Sequence, residues 1–263
     1  MKTVHSKDGT TIAYDRTGRG PAVILVAGAL SDRSDGTAVA ALLAPRFTVF
    51  TFDRRGRGDS GDTAPYAVER EIEDMDAIIH AAGGSAYVMG HSSGAALALE
   101  AAAHGLAITK LALYEPPFIV DDTRPLPAED YPARLKAAVA AGRNGDAVAM
   151  FMTEAVTAPA EMVAQMRQAP MWPAMERVAP TLLYDQAVMG DNMSGKPLVG
   201  KQWASVTMPT LVMDGGASPA WARNAVQALV NVLPNARRRT LEGQTHGVRP
   251  EVIAPVLAEF FAG

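Results

Sequence analysis

The strongest constraint on this chain is a rhythm: short apolar runs recur along most of its 263 residues, with helical periodicity between them. "AVILVAG" (22–28), "FTVFTFD" (47–53), "AYVMG" (86–90), "KLALYE" (110–115), "TLVMDG" (210–215) and "ARRRTLEG" (236–243) read as strands. Helical stretches fall near 36–44, 66–82, 93–104, 219–232 and 249–262. Strands joined through helices run parallel, and the crossovers cover both faces of the sheet. The start differs: "TVHSK" and "TIAYD" flank Asp8-Gly9, a hairpin signal that predicts an antiparallel pair. The expectation is an α/β fold with a mostly parallel, eight-stranded sheet flanked by helices.

One interval breaks the rhythm, because no convincing strand occurs between Glu115 and Met208. It opens with "PPFIVDDTRPLPAEDYP", where five prolines in 17 residues forbid regular structure, and then reads helical to about residue 190. The chain therefore divides into a core, 1–115 and 201–263, and an inserted helical cap, 116–200. Eight of the thirteen methionines lie between Met150 and Met193. They serve either as the core of small packed helices or as a plastic apolar wall over a pocket, and the two roles are compatible.

Bulk properties remove several function classes. A 48% hydrophobic chain of this length can bury a large core, and a formal charge of −4 offers no general attraction to nucleic acid or an anionic membrane. Without cysteine there is no disulfide, thiolate metal site or cysteine nucleophile. No window reaches about 18 uninterrupted apolar residues, so a cytoplasmic protein is expected. Gly56-x-Gly58-x-x-Gly61 matches the dinucleotide fingerprint formally, but "DTAPY" intervenes before the helix, with Pro65 as its expected first turn. The segment reads as a tight structural loop in which Arg54, Arg55 and Arg57 pair with neighbouring acids. Asp121 and Asp122 lack a nearby histidine and read as solvated loop. Neither a metal nor a cofactor is expected.

The chemistry concentrates at Gly90-His91-Ser92-Ser93-Gly94, a G-x-S-x-G pattern between an apolar strand and a helix. A serine on so sharp a turn needs glycines two residues either side and presents its hydroxyl at the sheet edge. Ser92 is the candidate nucleophile. Ser93 begins the helix, and its backbone N–H points where an oxyanion develops. A serine hydroxyl also needs a base. His5 lies in the hairpin, His80 and His104 end helices, and His91 is sent the other way by the elbow. His246 remains, in the loop "LEGQTHGVRP" after the last strand.

With "VAGAL", "DRRGRGDSG", "GHSSG" and "GQTHG" in this order and spacing, the chain resembles the α/β-hydrolase fold family over nearly its whole length. The insertion is similar to that family's cap. The resemblance implies a second oxyanion donor at the Ala29 amide, although Ala27 stands where a histidine often precedes Gly28. In much of the family the triad acid follows the penultimate strand, where this chain has Ser218. Glu115, closing the strand after the nucleophile helix, is the favoured acid, as in some lipases and haloalkane dehalogenases; Asp214 is the alternative. The expected activity is cofactor-independent hydrolysis of a small apolar ester, with a lactone or thioester possible, by Ser92, His246 and Glu115. Alternatives are a haloperoxidase-like or carbon–carbon bond hydrolase on the same triad, and a non-catalytic ligand-binding protein of this fold.

Overall fold

In the computed structural model, which covers residues 1–263, Gly9 takes φ +84, a conformation that costs glycine little. That turn folds β1 (Lys2–His5) antiparallel onto β2 (Thr11–Gly18), with His5 opposite Thr11. The chain then alternates: β3 (Ala22–Val26), α1 (Thr37–Leu43), β4 (Thr48–Phe52), α2 (Val68–Ala81), β5 (Ala86–His91), α3 (Ser93–Ala103) and β6 (Ile108–Tyr114). Five helices follow without a strand: α4 (Tyr131–Ala140), α5 (Asn144–Met150), α6 (Ala160–Met166), α7 (Trp172–Val178) and α8 (Leu182–Met189). The pattern closes with β7 (Thr210–Gly215), α9 (Ala220–Val232), β8 (Ala236–Leu241) and α10 (Pro250–Ala262).

The eight strands form one sheet in the order β1-β2-β4-β3-β5-β6-β7-β8, parallel from β4 to β8. Strands buried on both faces explain the continuous apolar runs. Ile24 and Val26 enter the core on the α2, α3 and α9 side, while Val23 and Leu25 enter the core shared with α1 and α10. The period-two alternation of side chains requires this division. From β3 the chain moves to β4 on one side and later to β5 on the other. The loops after β3 and β5 therefore diverge and open a crevice at the carboxyl ends of the strands.

Helix α2 buries Ile72, Met75, Ile78 and Ile79 along one face, and Glu69 and Glu71 sit in its first turn, where they complement the helix dipole. It begins at Val68, so the expectation that Pro65 forms its first turn is corrected. Tyr66 explains the delay: its ring stacks on Tyr184 at 3.8 Å between centroids, and its hydroxyl donates to Glu71 at 2.9 Å. These contacts hold the segment off the helix axis, with Ala67 extended. No helix is long and apolar enough to cross a membrane.

Helices α4 to α7 and the start of α8 share a small core of their own, built from Leu135, Val148, Trp172 and Leu182 among others. Val188 and Met189, at the end of α8, belong instead to the core beneath the sheet. Trp203 anchors the returning chain: it is fully buried, stacks on Phe118 with centroids 5.9 Å apart, and donates its Nε1–H to Glu100 at 3.0 Å. Trp203→Ala is expected to lower unfolding stability by about 3–5 kcal/mol, read from the urea midpoint. A midpoint equal to that of the wild type would show that the chain's return is fixed elsewhere.

Candidate active site

Between the last residue of β5 and the first of α3, Ser92 alone turns the chain, at φ 57 and ψ −127. A side chain is rarely tolerated there, and the strain costs on the order of 1–3 kcal/mol. The turn leaves no room beside it. A Cβ on Gly90 would stand 2.4 Å from the Gly94 carbonyl oxygen, and one on Gly94 would stand 2.4 Å from that of Val26. Gly28 faces the same turn, since a Cβ there would lie 2.9 Å from the Ser92 Cβ. The spacing of the motif is thus a packing requirement.

The Ser93 hydroxyl is buried and donates to Asp185 at 2.7 Å, which occupies it away from Ser92. The backbone amides of Ala29 and Ser93 donate to no protein group. Ala29, Ser92, Ser93, Glu115 and His246 all line one cavity of about 550 Å³, roofed by residues of the helical insertion.

His246 is fixed through its loop. The Tyr114 hydroxyl donates to the Thr245 carbonyl at 2.6 Å, and Ala217 N–H donates to the Gln244 carbonyl at 2.9 Å. Its Nδ1 lies 2.9 Å from Glu115 Oε2, and Glu115 Oε1 accepts from the Gly215 amide at 2.8 Å. Burial works against the Glu115 carboxylate, but the hydrogen bonds from His246 and the Gly215 amide prevail and hold it below its ordinary range. With Nδ1–H donated to a carboxylate, the neutral ring presents Nε2 as an acceptor.

Of the two carboxylates weighed from the sequence, the structure brings Glu115 to His246. Asp214 is fully buried but engaged elsewhere: Arg238 donates to it at 2.7 and 3.1 Å, and Thr240 at 3.0 Å. His80 and His104 each turn Nδ1 to a carbonyl one helical turn back. Asp121 accepts from Thr123 and Asn224. No group of three His, Asp or Glu side chains is arranged to hold a metal ion. Of the eight methionines in the insertion, only Met189 and Met193 line the cavity; Met150, Met152, Met166 and Met175 pack the helices, and Met162 and Met171 are exposed.

The loop of Gly56, Gly58 and Gly61 closes on itself, with Gly56 N–H donating to the Gly61 carbonyl at 3.0 Å. Its arginines are buried. Arg54 makes a two-pronged contact with Glu71 at 2.6 and 2.7 Å, and Arg55 makes one with Asp74 at 2.7 and 2.8 Å. Their pairing extends beyond neighbours in sequence, because Asp185 of α8 accepts from both Arg54 and Arg57. Sequence reasoning passed over Asp185. The one available signal was a lone acid inside the apolar stretch "TLLYDQAVM".

A sequence profile described as the alpha/beta hydrolase family matches residues 23–256. The crystal structure of an alpha/beta hydrolase from Sphaerobacter thermophilus is 62% identical, covers 99% of this chain and 100% of its own, and superposes with a TM-score of 0.93. N-formylmaleamate deformylase of Pseudomonas putida is 35% identical over 116 residues, 43% of this chain; the chain thus spans less than half of that relative's length, 43%. The enol-lactonase from Burkholderia xenovorans, 21% identical over the whole of both chains with a TM-score of 0.71, shares the fold.

His91 adds a pH-sensitive contact beneath the site. Its ring lies 4.8 Å from that of His246 and 5.7 Å from that of Tyr114, and its Nε2 meets the His246 carbonyl at 2.9 Å. Burial, reinforced by His246, pushes the imidazole down to about 4 from 6.5. The unfolded chain therefore takes up this proton first, and the stability it represents is complete above 6.5 and lost as pH falls to about 4. The loss amounts to about 3 kcal/mol. Thermal melts from pH 7 to pH 4 should fall more steeply for the wild type than for His91→Gln; parallel curves would remove His91 as the titrating group.

Proposed function

The chain belongs to the alpha/beta hydrolase family, and from that premise we propose that it is a cofactor-independent serine hydrolase cleaving a carboxylic ester of a small apolar molecule through an acyl-enzyme. A lactone or thioester would follow the same steps. The observation that carries this reading is a strained Ser92 facing the cavity that also holds the His246–Glu115 pair at 2.9 Å.

In this reading Ser92 Oγ attacks the carbonyl carbon while His246 Nε2 accepts its proton, and Glu115 keeps Nδ1–H in place and stabilises the imidazolium. The negative charge that develops on the carbonyl oxygen is met by the Ala29 and Ser93 amides. Collapse releases the alcohol, which takes the proton from His246. Water then repeats the sequence on the acyl-enzyme, His246 acting first as base and then as acid. Tight donors matter more than substrate affinity, because only interactions stronger in the transition state raise kcat.

A cavity of about 550 Å³ walled by Leu182, Met189, Met193 and Trp221 favours a medium-sized, largely apolar substrate. The likeness to a deformylase adds N-formyl amides to the substrates worth testing, since the same attack cleaves a C–N bond.

A fluorophosphonate probe should label Ser92, and Ser92→Ala should abolish both labelling and turnover of p-nitrophenyl esters, apart from a small oxyanion-hole remainder. Labelling that survives Ser92→Ala but not Ser93→Ala would move the nucleophile. Glu115→Gln should lower kcat by roughly 10⁴, whereas Asp214→Asn should leave catalysis within about tenfold once folding is matched; the reverse pattern would exchange their roles. Lengthening the acyl chain should raise kcat/KM by up to about fourfold per methylene until the cavity is full. A preference for acetyl over butyryl would reduce the cavity to a small, rigid pocket.

A further inference from the structure

The peptide between Gly28 and Ala29 is gripped from behind. Arg57 donates from one Nη to the Gly28 carbonyl at 2.5 Å and to that of Ser31 at 3.4 Å. The C=O of Gly28 and the N–H of Ala29 belong to one trans peptide unit and point in opposite directions. Pulling the carbonyl toward Arg57 turns the Ala29 N–H the other way, and Ala29 lies on the wall of the Ser92 cavity. That amide donates to nothing in the protein.

Arg57 is itself held. Its other Nη donates to both oxygens of Asp185, at 2.9 and 2.8 Å, and both side chains are almost wholly buried. Asp185 Oδ1 also accepts from Arg54 and from the Ser93 hydroxyl, each at 2.7 Å. A single carboxylate on the insertion therefore touches the group that orients the Ala29 amide and the side chain of the residue that bears the other free amide.

We propose that Asp185 and Arg57 are positioning residues for the oxyanion site: the carboxylate carried by α8 holds the guanidinium, and the guanidinium aims the Ala29 N–H at the developing charge. This rests on the serine-hydrolase reading above. Arginine is suited to the task because its planar fork serves a carbonyl and a carboxylate at once, which a lysine ammonium on a flexible stem does not.

The test compares Asp185→Asn, Arg57→Lys and the double variant Arg57→Met/Asp185→Asn with the wild type. The double variant removes one charge of each sign and leaves Arg54 paired with Glu71, so it keeps the buried charge balanced if a single variant fails to fold. Three readouts are needed: kcat and KM for p-nitrophenyl butyrate, the rate of Ser92 phosphonylation by a fluorophosphonate, and inhibition by phenylboronic acid, which mimics the tetrahedral intermediate. Loss of one aligned donor should lower kcat and phosphonylation by about 10²–10³-fold. Boronate affinity should fall with them, while KM changes by less than about threefold. Arg57→Lys should fall between the wild type and the double variant. A folded double variant with wild-type kcat and boronate inhibition overturns the proposal, as does a loss confined to KM. Wild-type protein that is not labelled at Ser92 overturns the serine reading and this proposal together, whereas labelling at an unchanged rate in every variant overturns this proposal alone.

Discussion

Everything at the site follows from how closely α3 is laid against the sheet. The Ser92 turn leaves so little space that Gly90 and Gly94 cannot carry a Cβ without meeting backbone at 2.4 Å. The composition of α3 continues the same demand: Ala95, Ala96, Ala98, Ala101 and Ala102 are almost wholly buried, and their small side chains let the helix axis approach the strands. This proximity brings Ser93 beside the loop that follows β3, so the two residues whose amides lack a backbone acceptor, Ala29 and Ser93, line one cavity. Backbone strain of on the order of 1–3 kcal/mol at Ser92 is offset by burial of the helix it starts.

A second constraint is electrostatic. Arg54, Arg57, Glu71 and Asp185 bury two charges of each sign between the sheet and the insertion. The neighbouring charges hold Asp185 ionised: burial opposes its charge, and Arg57 and Arg54 restore it below the ordinary carboxylate range. Removing one partner of such a pair costs about 3–5 kcal/mol, yet replacing a whole pair with apolar residues is often neutral or stabilising. Stability alone therefore does not explain four buried charges. What an apolar cluster could not supply is direction: a hydrogen bond to the Gly28 carbonyl, and one contact point that joins α8 to the loop after β3.

Local features were legible in the sequence and long-range ones were not. Strand, glycine-spaced serine and helix lie within one short segment, so the pattern from Ala86 to Ala103 could be read directly. The strands needed only small adjustment: the first parallel strand ends at Val26 rather than Gly28 because the residues beyond it form the loop facing Ser92. The start of α2 was misjudged because Tyr66 answers to Tyr184, a partner more than a hundred residues away. Asp185 was invisible for the same reason. Its contacts with Ser93, Arg54 and Arg57 span 92 to 131 residues, and no periodicity encodes them. The methionines take both roles left open by the sequence, since their composition is common to a helical core and a cavity wall, and only position distinguishes the two.

The two carboxylates at the strand ends were the hardest residues to tell apart, and the reason is conformational. Tyr114 and Met213 are register partners on adjacent parallel strands, so Glu115 and Asp214 follow them side by side. Asp214 is still within β7 and paired in register with Thr240. Strand alternation commits its side chain to one face, where Arg238 meets it. Glu115 lies one residue past β6 at φ 43, outside the alternation, and its carboxylate swings across the strand end to the Gly215 amide and His246. Between them the end of β7 is crowded: a Cβ on Gly215 would stand 2.3 Å from the Gln244 carbonyl oxygen and 2.9 Å from Ser218 Oγ. Glycine at 215 lets the Gln244 backbone approach this closely, and Glu115, arriving from the neighbouring strand, reaches both the Gly215 amide and His246 Nδ1.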